Sequence, residues 1–159
     1  MIYLHGAGGV GTDLKKVKRQ PLRLLETIQK AGKSYLCVAP QATRSPHEFG
    51  EKGGWVPADL EILIKHLKET YQIDRNRIYL TGNSMGGYGT FAWAGKYPGH
   101  FAAIAPMVGG IGPGGPKDIS KELDLWGRNL ATIPMKAYYG GKDRVVPADR
   151  GAMILKAVK

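Results

Sequence analysis

The sequence predicts an α/β domain with a doubly wound, mostly parallel five-stranded sheet, and three observations carry that expectation. Short apolar runs alternate with longer stretches of helical character along the whole chain. The runs are bounded by Gly, Pro or polar residues, as strands buried inside a parallel sheet are. One of them, Arg77-Ile78-Tyr79-Leu80-Thr81, passes through Gly82-Asn83-Ser84-Met85-Gly86 directly into the helical stretch from Gly87 to Ala94. Strand, tight turn and helix in that order form a βα unit, and repeated βα units build a parallel sheet.

Taken in order, the expected strands are Met1–His5, Ser34–Ala39, Arg77–Thr81, Phe101–Ala105 and Met135–Tyr139. A first helix runs from near Asp13 to Ala31 and stops at Gly32. A second begins after Pro57, with Leu60, Leu63, Ile64 and Leu67 on one face. A third follows Ser84 to Lys96, where Pro98 and Gly99 end it. Ile119–Asn129 reads as a short helix and Pro147–Val158 as a last one. No internal repeat or shift of composition divides the chain, so residues 1–159 read as one domain. The long loops Pro40–Val56 and Val108–Pro116 follow strands, which puts both on the face where such sheets carry their sites.

Hydrophobic residues make up 43% of the chain, enough for a core and against disorder. No apolar run approaches the ~18 residues that a membrane span needs. Met1 leads into a strand with no leader pattern, so the chain as it stands reads as cytoplasmic, while a leader missing along with other N-terminal sequence leaves export open and the localisation unknown. The single cysteine, Cys37, excludes an internal disulfide and reads as buried packing. The net charge of +10 invites a nucleic-acid partner, but only Lys15-Lys16-Val17-Lys18-Arg19 is clustered and no nucleic-acid module is present. A solvated basic helix face accounts for that cluster. The charge also raises encounter rates with anionic substrates or surfaces.

The chemistry is carried by Gly82-Asn83-Ser84-Met85-Gly86, a G-x-S-x-G pattern in the strand–turn–helix setting that exposes a nucleophilic serine. Ser84 needs a base to take its proton, and in this arrangement a histidine follows the acid along the chain. The acid is expected at Asp143, within Tyr138-Tyr139-Gly140-Gly141-Lys142-Asp143-Arg144-Val145-Val146-Pro147. None of the residues after Asp143 is histidine, so the catalytic set is incomplete within this sequence.

These segments resemble the α/β-hydrolase superfamily, and within it the feruloyl and acetyl-xylan esterases, polyhydroxyalkanoate depolymerases and predicted peptidases. Leu4-His5-Gly6-Ala7-Gly8-Gly9 is similar to their oxyanion loop. The stretch from Ile73 to Gly87 is similar to their elbow and its lead-in, and Phe101-Ala102-Ala103-Ile104-Ala105-Pro106 and the Asp143 segment follow suit. The similarity runs from Ile2 to about Lys159. Such proteins, which are often secreted, carry two further strands before the His-Gly loop and a final strand and histidine loop after the last helix. The resemblance therefore implies a truncated α/β-hydrolase core whose strands stand in the order 2-1-3-4-5.

It also implies roles. Ser84 attacks an acyl carbonyl and forms an acyl-enzyme, with the Met85 N–H and Ala7 as oxyanion donors and Asp143 as the acid. His5 supports the loop, and Trp55 is expected to wall a substrate pocket or to pack in the core. Of the other histidines, His66 reads as solvated, and His100 falls at the opposite face of the sheet. His47, in a long loop on the correct face, is the candidate substitute base. No metal or organic cofactor is expected, and the substrate is a small-molecule or polymer-linked ester. Two alternatives stay open: a non-catalytic ligand-binding module, and a flavodoxin-like phosphate site at Gly6–Gly11, whose G-x-G-x-x-G lacks the acidic partner. An exposed edge at Met135–Tyr139 implies a homodimer.

Overall fold

The computed structural model describes residues 1–33, 35–43, 54–111 and 122–158. Three strands, β1 (Ile2–Leu4), β2 (Tyr79–Asn83) and β3 (Ala103–Met107), form a parallel sheet in the order β1-β2-β3. Tyr3 stands opposite Thr81, and Thr81 opposite Ala105. Two more segments join through isolated parallel bridges, Val38 to Ile2 on one side and Met135 and Tyr138 to β3 on the other. The order across the sheet is therefore the expected one.

Among the described residues, the expected count of five full strands is corrected to three, with the other two segments joined by isolated bridges. Each outer segment is paired on one side only, and a proline without an N–H stands beside it, Pro40 after one and Pro134 at the start of the other. The inner strands also begin later than the sequence suggests. Asp74 accepts from the Asn76 N–H and pairs with Arg77 at 2.7 Å, winding Arg75–Arg77 into a 3₁₀ turn before β2.

The first helix is in fact two, α1 (Leu14–Lys18) and α2 (Leu22–Lys30). Pro21 breaks it, because its ring supplies no N–H to the preceding turn. Asp13 caps α1 by accepting from the Lys15 N–H. The helix α3 (Pro57–Thr70) has proline at its first position and buries Leu60, Ile64 and Leu67 of the expected face, with Leu63 half-buried at its margin. Next, α4 (Met85–Lys96) crosses all three strands and is buried from Gly89 to Gly95. The expected helix at Ile119–Asn129 is α5 (Leu123–Leu130), which packs between α4 and α6 (Asp149–Ala157). Leu4, Leu80, Phe91, Trp93, Leu130 and Ile154 make the centre of the core, each exposed by 1% or less.

Candidate active site

Ser84 sits between the last residue of β2 and the first of α4, with φ 55° and ψ −118°. That backbone is unfavourable for a residue with a Cβ, at a cost on the order of 1–3 kcal/mol, and it persists only where the surroundings enforce it. Here they do. The Ser84 N–H donates to the Met107 carbonyl at 3.0 Å, and the Ser84 carbonyl accepts from the Tyr88 N–H at 3.1 Å. Gly82 and Gly86 let strand and helix meet: a Cβ on Gly86 would run into the Leu4 carbonyl, and one on Gly82 into the backbone of Gly86. The half-buried serine is thereby raised at the carboxyl end of the sheet. Val108, directly after β3, is the other described non-glycine residue with positive φ, at 51°. Two backbone outliers thus stand at the carboxyl ends of adjacent strands.

An oxyanion needs N–H groups that no helix carbonyl has taken. Met85 opens α4 and Ala7 opens the 3₁₀ turn Ala7–Gly9, so neither has an acceptor within its own helix. The turn lies against the elbow, since a Cβ on Gly6 would be 3.3 Å from the Asn83 oxygen and 3.6 Å from Ser84 Cβ. Side chains from two other stretches fix it there. Gln20 Oε1 accepts from the Gly6 N–H at 3.2 Å, and Gln41 Nε2 donates to the Gly9 carbonyl at 2.8 Å. Neither glutamine was expected, because nothing in the local sequence marks a side chain that reaches another loop.

His5 is fully buried beneath this turn. Its Nδ1–H donates to the Gly6 carbonyl at 2.7 Å, and its Nε2 accepts from the Ala42 N–H at 2.9 Å. Both ring nitrogens are committed, which fixes the neutral tautomer and leaves none for proton transfer. Burial lowers its pKa, opposed by the hydrogen bond to Gly6. Trp55 stands behind it. Its Nε1–H donates to the His5 carbonyl at 3.0 Å, its ring centroid is 4.7 Å from the His5 ring, and it packs on Gly89 of α4. At 3% exposure Trp55 presents no face to an open pocket, so its position is that of core packing.

Asp143 lies in the turn between the outer segment that pairs with β3 and α6. Its Oδ1 accepts from the Val146 and Val145 N–H groups at 2.9 and 2.8 Å, which together hold the carboxyl below its usual pKa. Oδ2 has no recorded partner among the described residues, so one oxygen remains to orient a base. His66 is exposed beside Thr70. His100 is pinned at the far end of α4, with Nε2 2.8 Å from Glu61 and Nδ1 3.0 Å from Lys68 Nζ. His47 lies outside the described residues.

Residues 47–111, which include the elbow and β3, match the prolyl oligopeptidase family. A solved thermostable esterase superposes on 99% of the chain with a TM-score of 0.76 and 28% identity. The chain has the fold of the α/β-hydrolases. Two further hydrolases share shorter stretches. Poly(3-hydroxyalkanoate) depolymerase C of Paucimonas lemoignei is 40% identical over 97 residues, and feruloyl esterase B of Talaromyces funiculosus 32% identical over 83. These stretches take in 52% and 47% of this chain. The chain spans 22% and 24% of the length of those two relatives and 42% of the solved esterase. Two of these three similar proteins are named as esterases and one as a depolymerase.

Proposed function

We propose that this chain carries the nucleophile, oxyanion donors and acid of a serine carboxylic-ester hydrolase. In this reading Ser84 Oγ attacks the ester carbonyl carbon, and the Met85 and Ala7 N–H groups take the charge that develops on its oxygen. The alcohol leaves with a proton, and water then releases the acid from the acyl-enzyme. Each oxyanion donor contributes about 3–4 kcal/mol to such a step. The observation that carries the reading is the enforced positive φ of Ser84, with the Gly6–Gly9 loop packed against it. A strained serine at the carboxyl end of a parallel sheet is a costly arrangement for a mere turn.

Asp143 is the acid, with the unpartnered Oδ2 as its working atom, and His47 is the substitute base. No histidine follows Asp143 in these residues, so the reading includes low turnover by this chain. An oxyanion hole and binding alone retain about 10³–10⁴-fold acceleration over water when triad members are absent. The substrates are carboxylic esters, in small molecules or attached to a polymer, as the names of the similar proteins suggest. Amide cleavage is not included, because an amine leaving group needs the proton donor that a histidine supplies.

Hydrolysis of p-nitrophenyl acetate tests this reading. The expected result is slow turnover by the 159-residue chain that disappears in Ser84→Ala and is reduced in His47→Ala. Equal rates for the chain and Ser84→Ala would reject Ser84 as the nucleophile.

A further inference from the structure

Among the described residues, three buried polar side-chain atoms have no hydrogen-bond partner: the hydroxyl oxygens of Tyr88 and Tyr139, and Nε of Arg150. A buried donor left unmade costs stability, so folded proteins keep few and each has a reason. These three come from separate elements that meet beside the elbow. Tyr88 lies one turn into α4, its N–H on the Ser84 carbonyl. Helical side chains lean toward the N-terminus, which carries its phenol back toward the level of Ser84. Tyr139 ends the outer segment beside β3, and its ring lies directly against Gly151 of α6. Arg150, one residue earlier, packs on Gly110 in the turn after β3, where a Cβ would stand 2.7 Å from its own.

Electrostatics tie the group together. The Tyr88 phenol feels the charges of Arg150, Asp149 and Asp143, and the Tyr139 phenol feels Tyr88. Burial is the main cause that keeps both phenols protonated, pushing Tyr139 up to about 12. At neutral pH all three atoms can therefore donate, and Tyr88 ties the group to the expected nucleophile through its N–H on the Ser84 carbonyl and to the expected acid through the charge of Asp143. Asp149 Oδ1 stands 3.7 Å from Arg150 Nε, too far to satisfy it, yet it offsets the guanidinium charge. An anionic ligand would meet two carboxylates and one guanidinium. A neutral oxygen would take the same donors without that repulsion.

We propose that Tyr88, Tyr139 and Arg150 form a subsite for a neutral oxygen acceptor, an ether, hydroxyl or carbonyl oxygen, on the substrate of Ser84. The subsite rests on the proposed ester hydrolysis for its occupant and adds the selectivity: oxygen-bearing esters over plain aliphatic ones. A site built to hydrogen-bond a substrate discriminates against the analogue lacking the atom, because its donors are then left buried and unmade.

Binding to the Ser84→Ala chain tests the subsite apart from turnover. Methyl methoxyacetate and methyl butyrate are alike in shape and differ by one oxygen, and monomethyl succinate adds a carboxylate. Saturation-transfer NMR titrations should show the methoxyacetate binding about five-fold more tightly than the butyrate, the scale of one net hydrogen bond. The succinate should bind more weakly than the methoxyacetate. Tyr88→Phe and Tyr139→Phe each remove a single hydroxyl and should bring the preference close to one, with no loss in thermal midpoint. Equal binding of the two neutral esters, a preference that survives both Phe variants, or no binding of any ester would overturn the proposal. Tighter binding of the succinate would overturn it too, in favour of an anion site. Ser84-dependent hydrolysis by the unaltered chain stands or falls independently of these results.

Discussion

Serine holds a φ of 55° at position 84 because its N–H is tied to β3, its carbonyl opens α4, and glycine on either side lets helix and strand close on it. His5 shows the same logic in a polar side chain. It is buried without charge, and each ring nitrogen meets a backbone group suited to the neutral form. This has a pH consequence with a definite sign. Burial depresses the His5 pKa, so in the folded chain the ring stays neutral below the pH at which the unfolded ring takes up a proton. Between the unfolded value of 6.5 and the lower folded one, the unfolded state binds more protons. Stability contributed by neutral His5 is therefore present above 6.5 and is lost as the pH falls toward the folded value. The urea midpoint is expected to be lower at about pH 5 than at about pH 7.5, with a smaller drop in His5→Gln. An equal drop in both chains would remove His5 as the cause.

Elements show how much of this architecture could be read from residues alone. Strand-like runs, the proline starting α3 and the elbow into α4 are local signals, and the structure carries each of them. Pro21 was also a local signal, a helix breaker within an otherwise periodic stretch, and giving it its full weight would have split α1 from α2. Strand count was not local, because a ladder depends on what stands on the other side. The clasp of Gln20 and Gln41 on the oxyanion loop and the unpartnered Tyr88, Tyr139 and Arg150 arise from tertiary placement and left no pattern to find. The outer segment beside β3 makes a sharp prediction. The Lys136 and Tyr138 N–H groups donate to the Ile104 and Pro106 carbonyls, while Met135, Ala137 and Tyr139 alternate with them on the outward side. In amide hydrogen exchange, Lys136 and Tyr138 should be protected and Ala137 should exchange distinctly faster. Uniform protection across the segment would mean that another strand covers that edge.

At the scale of the whole molecule, one-sided pairing at both margins of the sheet among the described residues sits beside a large net charge. Open edges invite pairing with another chain, whereas a charge of +10 pushes two copies apart. A cavity of about 570 Å³ between α2 and the sheet, lined by Leu24, Thr81, Ala105 and Met135, adds apolar surface on the same side as the outer segment. Self-association is therefore expected at micromolar concentration and should strengthen as salt screens the charge over about 10 Å at 0.1 M and less above it. Sedimentation equilibrium at low and high salt measures this, and a monomer under both conditions would contradict it. The site opens at the carboxyl ends of the strands, so association through an edge leaves Ser84 accessible.

The central claim is that Ser84 is a nucleophile held beside a ready oxyanion hole. A fluorophosphonate reacts with such a serine by losing fluoride to form a phosphonate ester, whose oxygen occupies the oxyanion hole. Intact-protein and peptide mass spectrometry should find one adduct, on Ser84, formed slowly by this chain and absent from Ser84→Ala. A chain that stays unlabelled under prolonged exposure, or that labels equally after Ser84→Ala, would contradict the account.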